Sequence, residues 1–385
     1  MRLNRFVEKV KPSATLALNQ KAKAMKAEGR SVVNLTAGEP DFATPERICR
    51  AGKEAIDRGK TKYTPAGGIL PLKNEVIRLT QEDYGRAYTP KQCIIGAGAK
   101  HALFNLCLAA LNEGDEVLIL APYWVSYNDM ALIPGATPVI LPAKESANFE
   151  PEIDQIEKAL NEKTRILFLN SPSNPTGMVY SREFLKKLVQ IVKRFPNLLV
   201  VADDIYGKLV FDGKPYVSIG MLQELPSEQL VIVNGVSKSH AMTGWRIGWA
   251  LGPEVLITTM NTIQSQSTSN PSSIAQWAAL EALKGDQAEV REMREVFQGR
   301  RDHFMAGLKT VPEITCLTPG GAFYVFPNFS AYLGRKKTQR RKACGRYGAL
   351  HLPPGRLRHC YRPRIGLRSP RLSPLELRSF PPRFG

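Results

Sequence analysis

The sequence predicts an α/β fold, a mostly parallel central sheet sandwiched by helices with a smaller α+β domain beside it. Three observations carry that expectation. Short apolar runs bounded by turn residues recur along the chain, and helical patterns lie between several of them. At 385 residues and 43% hydrophobic content, the chain is long enough to bury the core of two domains. Such alternation argues for parallel strands joined by helices on both faces.

Taken in order, the strand candidates are QCIIG, EVLIL, TPVIL, RILFLN, LLVVAD, LVIVNG and IGWAL. Among the helical stretches, AKHALFNLCLAALNEG repeats apolar residues at Ala102, Leu103, Leu106, Cys107, Ala110 and Leu111. Near the C-terminal end of the body, DQAEVREMREVFQGRRDHFMAGL has apolar positions at helical spacing amid charges, as a long connecting helix requires. The expected organisation is a large domain over residues 45–290 and a small domain from 1–44 and 291–334. Residues 335–385 form a basic Pro/Arg-rich tail.

The charge supports that division. The formal net charge is +18, yet 15 of the 53 Lys+Arg lie in 335–385 beside a single acid, Glu376. The remaining 334 residues hold 38 basic against 34 acidic groups, so the body is close to neutral. Nucleic acid is therefore not the expected partner of the body. The tail shows neither helical nor alternating periodicity, and a shifted reading frame, a sequencing error or a real fused tail would each produce such a break. The opening MRLNRFVEKVKPSATLAL lacks an apolar core of signal-peptide length, and no run approaches the roughly 20 apolar residues of a membrane span. A cytoplasmic protein is expected. Six cysteines without a CxxC pair fit reduced thiols better than disulfides or zinc.

In a parallel sheet, ligands bind beyond the carboxyl ends of the strands. There the sequence places GAGAK after the first strand, APYW after the second, SPSNPTG after RILFLN, ADDIY at the end of LLVVAD and VSKSHAMTGWR after LVIVNG. Singly each has an ordinary explanation: a solvated lysine, a turn, a helix cap, a packed tryptophan. Together they fit the needs of pyridoxal phosphate, which requires an amine, an acid beside its ring nitrogen, and donors for its phosphate and ring oxygen. Lys238 supplies the amine and Asp203 the acid. Tyr206 and Asn174 can meet the ring oxygen, and Trp124 can stack on the ring. Ser237, Arg246 and the backbone N–H groups of Ala99 and Lys100 at a helix start can hold the phosphate.

From about Lys11 to Phe326 the chain resembles the class I, fold type I aminotransferases, and within them the bacterial aspartate and aspartate/prephenate enzymes. The matching stretches are VKPSATLAL, LTAGEPDFATPE, KTKYTPAGGILPLK, GAGAKHALFN, APYWVSY, NSPSNPTG, ADDIY, SKSHAMTGWRIG and PGGAFYVFP. The resemblance implies Lys238 as the Schiff-base lysine, Asp203 as the ring-nitrogen partner, Tyr206 and Asn174 as ring-oxygen ligands and Arg246 as a phosphate ligand. It also implies that Tyr63 reaches the phosphate of a neighbouring subunit in a homodimer, and that Gly38 lies against the substrate carboxylate. Lys100, a cation opposing the dipole of the helix it opens, would meet the distal carboxylate of a dicarboxylic substrate, with Lys11 in the same region. Asp204 stands where a glutamate is commoner in these enzymes.

The implied activity is transamination of aspartate with 2-oxoglutarate, with the glutamate/prephenate pair as a further substrate set. The alternatives are another fold type I enzyme, a lyase or decarboxylase, and a catalytically weak protein with a polyanion-binding tail. The F-R-[IL]-S-Y-A pattern that supplies the carboxylate-gripping arginine in this family is missing. YRPRIGLRS, with Arg362 and Arg364, lacks its apolar flanks. Loss of that grip would impair substrate handling more than cofactor chemistry.

Overall fold

The structure is a computed structural model and describes residues 4–333 except 11, 13 and 37. The predicted strands all form: β1 (Cys93–Gly96), β2 (Glu116–Ala121), β3 (Thr137–Pro142), β4 (Thr164–Asn170), β5 (Leu199–Asp203), β6 (Leu230–Gly235) and β7 (Gly248–Leu251). They make one sheet in the order β1-β7-β6-β5-β4-β2-β3. The β2–β3, β2–β4, β4–β5 and β5–β6 pairs are parallel, and β7 runs against both of its neighbours.

The helices are α1 (Ala14–Ala27), α2 (Glu46–Asp57), α3 (Leu70–Tyr84), α4 (Ala99–Ala110), α5 (Ser126–Leu132), α6 (Ile153–Ala159), α7 (Arg182–Val192), α8 (Val236–Ser239), α9 (Glu254–Ser267), α10 (Ser273–Leu283) and α11 (Ala288–Lys309). Two apolar layers divide the strand side chains by their period of two. Ile95, Leu118, Leu120, Leu167, Val200 and Ile232 face one layer with residues of α2, α3, α7 and α10. Ile94, Val117, Ile119, Ile166, Val201 and Val233 face the other, with residues of α4, α5 and α9. Burial on both faces is why these strands read as continuous apolar runs rather than alternating ones.

A third, smaller cluster joins Tyr206, Leu209 and Phe211 to Met293 and Phe297 of α11 and to Ala322. It ties the turn after β5 to the end of the described chain. GAFYVFP, the end of the last matching stretch, belongs to no strand among the described residues: Gly321 bridges Val210 and Asn328 bridges Thr315, each an isolated pair. A strand needs a sustained ladder, and these two bridges do not extend into one.

The register decides where the functional segments meet. Because β1, β2, β4, β5 and β6 all run one way, their carboxyl ends share one edge of the sheet. Antiparallel β7 begins at that same edge, with Gly248 paired to Gly96 and to Gly235. The loop before β7, with Arg246, is thereby brought beside the helix that follows β1.

Candidate active site

Lys238 sits on α8, one turn past the end of β6. Its Nζ donates to the Gly38 carbonyl at 2.6 Å and lies 5.8 Å from the centre of the Phe323 ring. Burial pushes its pKa down to about 8; Glu39 and Asp203 pull it up, while Arg246 and Lys100 push it further down. The amine is thus poised to gain or lose a proton near neutral pH.

Asp203 ends β5 and is buried. Tyr127 donates to its Oδ2 at 2.6 Å, and the Ile205 N–H lies 3.4 Å from Oδ1. Burial raises its pKa to about 6 in spite of the Tyr127 hydrogen bond, with Asp204 adding to the rise. Among the described residues no cation lies within 4 Å of this carboxylate, so a positively charged ring N–H would meet a carboxylate that has none.

Asp204, its neighbour, has a separate task. Its Oδ2 accepts from Tyr84 at 2.9 Å and from Ser218 at 2.7 Å, which fastens the end of α3 to the turn after β5. Both aspartates are buried, and they serve different partners.

Tyr206 and Asn174 come together around a residue that sequence reasoning missed. The Tyr206 hydroxyl lies 2.7 Å from that of Tyr324, and the Asn174 Nδ2 donates to the Tyr324 oxygen at 3.3 Å. Asn170 holds Asn174 in place by accepting its backbone N–H at 2.7 Å, and donates to the Asp203 carbonyl at 2.8 Å. One network therefore spans the ends of β4 and β5.

On the other side of Lys238, α4 begins at Ala99 after Gly98, whose φ is +92°. Helix geometry leaves the first N–H groups without partners inside the helix, and the positive end of the dipole adds to them. A Cβ on Gly98 would stand 2.5 Å from Arg246 Nη2, and one on Gly248 would overlap the Ala99 backbone nitrogen. These two glycines let β7, the Arg246 loop and the helix start approach closely. Arg246 itself has φ +59°, a left-handed conformation that few residues other than glycine adopt. Its guanidinium donates to the carbonyls of Thr243 at 2.8 Å and Ala97 at 3.2 Å. Among the described residues no carboxylate lies within 4 Å of it. Ser237 is buried beside Lys238.

Lys100 and Trp124 also meet, with Nζ 4.7 Å from the indole centre. Burial lowers the Lys100 pKa, and Arg246 lowers it further. Trp124 packs edge-on to Tyr127 at 5.4 Å, and Tyr127 stacks on Phe168 at 4.4 Å. Tyr63 stands apart, 91% exposed, on a loop anchored by two buried glutamines. Gln264 donates to the Ala66 and Ile95 carbonyls, and Gln276 accepts from the Ile69 N–H and donates to Thr64 and Pro271. Lys11 and the tail with Arg362 and Arg364 lie outside the described residues. No group of three metal-ligating side chains occurs among the described residues, and no helix there is long and apolar enough to cross a membrane.

A family model described as "Aminotransferase class I and II" matches residues 30–367. The chain belongs to that family.

Curated relatives of this aminotransferase include the aspartate/prephenate aminotransferase of Cereibacter sphaeroides, 46% identical over 86% of this chain and 83% of the relative. The aspartate aminotransferase of Geobacillus stearothermophilus is 47% identical over 85% and 83%. Among solved structures, the aspartate aminotransferase of Thermus thermophilus with maleate is 40% identical over 87% of both chains, with a TM-score of 0.83. The Rhizobium meliloti enzyme is 41% identical over 85% and 82%, with a TM-score of 0.82.

The family's cofactor is pyridoxal phosphate, and the donor set of this aminotransferase fits it. An amine whose pKa is lowered to about 8, a buried carboxylate lacking a cation, and a cradle that only glycine leaves open converge at one sheet edge. Three cations, Lys238, Lys100 and Arg246, surround the space where an anionic ligand would bind.

Proposed function

We propose that this chain transaminates aspartate, passing the amino group to 2-oxoglutarate, with the glutamate/prephenate pair as a second substrate set. The observation that carries the reading is the convergence of Lys238, Asp203, Tyr206 and Arg246 at the carboxyl edge of the sheet. Pyridoxal phosphate, when bound, supplies an electron sink that makes the substrate Cα–H acidic. Every other task falls to side chains of the chain itself.

Lys238 Nζ moves the proton: with a pKa near 8 it takes the hydrogen from the substrate Cα as a base and holds it for return. Asp203 holds the ring nitrogen in its protonated state. Tyr206 and Asn174 orient the ring oxygen, and Trp124 covers the ring face against water. Ser237, Arg246 and the N–H groups of Ala99 and Lys100 bind the phosphate dianion. The Lys100 ammonium meets the distal carboxylate of a dicarboxylic substrate, and Gly38 lies against the near one. That Lys100 is partly buried above Trp124 supports its facing a ligand rather than bulk water.

In this reading the enzyme is a cytoplasmic homodimer, and the exposed Tyr63 reaches the phosphate of the neighbouring subunit. Residues 45–290 form the cofactor domain, and 1–44 with 291–334 form the small one.

The test is a single half-reaction. The cofactor-loaded protein is mixed with aspartate alone, and oxaloacetate is quantified. The reading expects one oxaloacetate per bound cofactor, with continued turnover only after 2-oxoglutarate is added. Ammonia or a decarboxylated product forming steadily without an acceptor would sink it.

A further inference from the structure

Tyr324 lies in PGGAFYVFP, remote in sequence from the other site residues, and its hydroxyl occupies a junction. It sits 2.7 Å from the Tyr206 hydroxyl and accepts from Asn174 Nδ2 at 3.3 Å. A Cβ on Gly38 would be 3.0 Å from it, so the segment whose carbonyl holds Lys238 packs directly against the same oxygen. The Tyr206 and Tyr324 rings meet edge-to-face at 5.6 Å, and Phe323 packs against both. Burial pushes the Tyr324 pKa up to about 12 and that of Tyr206 well above the usual tyrosine value, so both are neutral phenols at physiological pH.

Proton counting then orders the chain of hydrogen bonds. Each phenol has one hydrogen to give. If Tyr206 gives its hydrogen to the cofactor's ring oxygen, the 2.7 Å contact persists only with Tyr324 as its donor. The Tyr324 oxygen, in turn, accepts from Asn174. The donors therefore run Asn174 to Tyr324 to Tyr206 to the ring oxygen, each bond polarising the next.

We infer that Tyr324 is a positioning residue that fixes the Tyr206 hydrogen toward the cofactor's ring oxygen and strengthens Tyr206 as a donor, an inference that rests on the cofactor reading above. It acts through Tyr206 and touches no reacting atom.

The experiment is a pH titration of the visible absorbance of the cofactor-loaded, substrate-free protein, in the wild type, Tyr324→Phe, Tyr206→Phe and the double variant. A ring oxygen that accepts a weaker hydrogen bond leaves its associated proton more tightly held, so the titration midpoint moves up. Tyr324→Phe is expected to raise the midpoint by roughly half a unit to one unit, the worth of one hydrogen bond. Tyr206→Phe is expected to raise it further. The double variant should match Tyr206→Phe alone, because a residue acting through Tyr206 has nothing left to act on. An unmoved midpoint in Tyr324→Phe, or shifts that simply add in the double variant, would overturn the inference while leaving the cofactor reading intact. An unmoved midpoint in Tyr206→Phe would remove the ring-oxygen role itself, and the inference with it. Far-ultraviolet circular dichroism of each variant shows whether the fold is kept, and Tyr324→Phe retains the ring contacts with Tyr206 and Phe323.

Discussion

Asp203 shows how one residue trades stability for chemistry. Its folded pKa, about 6, lies above the roughly 3.9 of an unfolded aspartate. A group raised in this way contributes stability that is fully present below about pH 4 and is lost as the pH rises through 6. Asp203→Asn removes that loss without removing an acceptor for the Tyr127 hydroxyl. The cofactor-free variant is therefore expected to be more stable than the wild type by about 1–3 kcal/mol at pH 8, with the gap closing near pH 4. Urea unfolding at the two pH values measures it, and a variant no more stable at pH 8 would show that the buried carboxylate carries no such cost. Activity is expected to fall by orders of magnitude in the same variant, because an amide does not hold the ring nitrogen protonated.

At the scale of elements, the cradle at the start of α4 depends on two glycines for different reasons. At Gly98 an alanine would be strained by φ +92°, and its Cβ would push on the end of a flexible arginine. At Gly248 the obstacle is backbone, the Ala99 nitrogen, and nothing there can swing aside. Gly98→Ala is expected to weaken cofactor binding by about 10- to 100-fold, with a loss of stability of about 1 kcal/mol from the strained φ. Gly248→Ala should lower stability by about 2 kcal/mol or more, since β7 and α4 must separate, and should weaken binding as well. Equilibrium dialysis with thermal unfolding tells the two patterns apart. Equal effects of the two substitutions on both quantities would contradict this account of the cradle.

For the whole molecule, the exposed Tyr63 carries the prediction. If it completes a neighbouring subunit's site, Lys238→Ala and Tyr63→Ala are defective alone but complement each other when their subunits are exchanged. Random mixing puts half the molecules in mixed dimers, each with one intact site, so about a quarter of wild-type activity should return. No recovery after demonstrated subunit exchange would place each site within a single chain. The loop is stiff enough for the role, since Gln264 and Gln276 tie it to β1, α9 and α10 from beneath.

The sequence by itself determined the strands and which polar segments stand at their ends. Runs such as EVLIL and LVIVNG are legible because burial on both sheet faces selects continuous apolar residues, and the segments after them carry groups a water-exposed turn has little use for. Lys238, Asp203, Asn174, Tyr206 and Arg246 were legible for that reason as side chains gathered at that edge, and their parts in the chemistry are the ones proposed above. What only the tertiary structure decided is how those ends are shared among neighbours. Asp203 and Asp204 are adjacent and chemically identical in sequence, and the fold alone gives one to Tyr127 and the other to Tyr84 and Ser218. Tyr324 and the two anchoring glutamines left no spacing signal, because their partners, apart from Pro271 beside Gln276, lie more than a hundred residues away in the chain. Hydrogen bonds and close approaches depend on distance in space, while local sequence pattern records only distance along the chain, so the residues that position the site emerged only when the sheet brought its ends together.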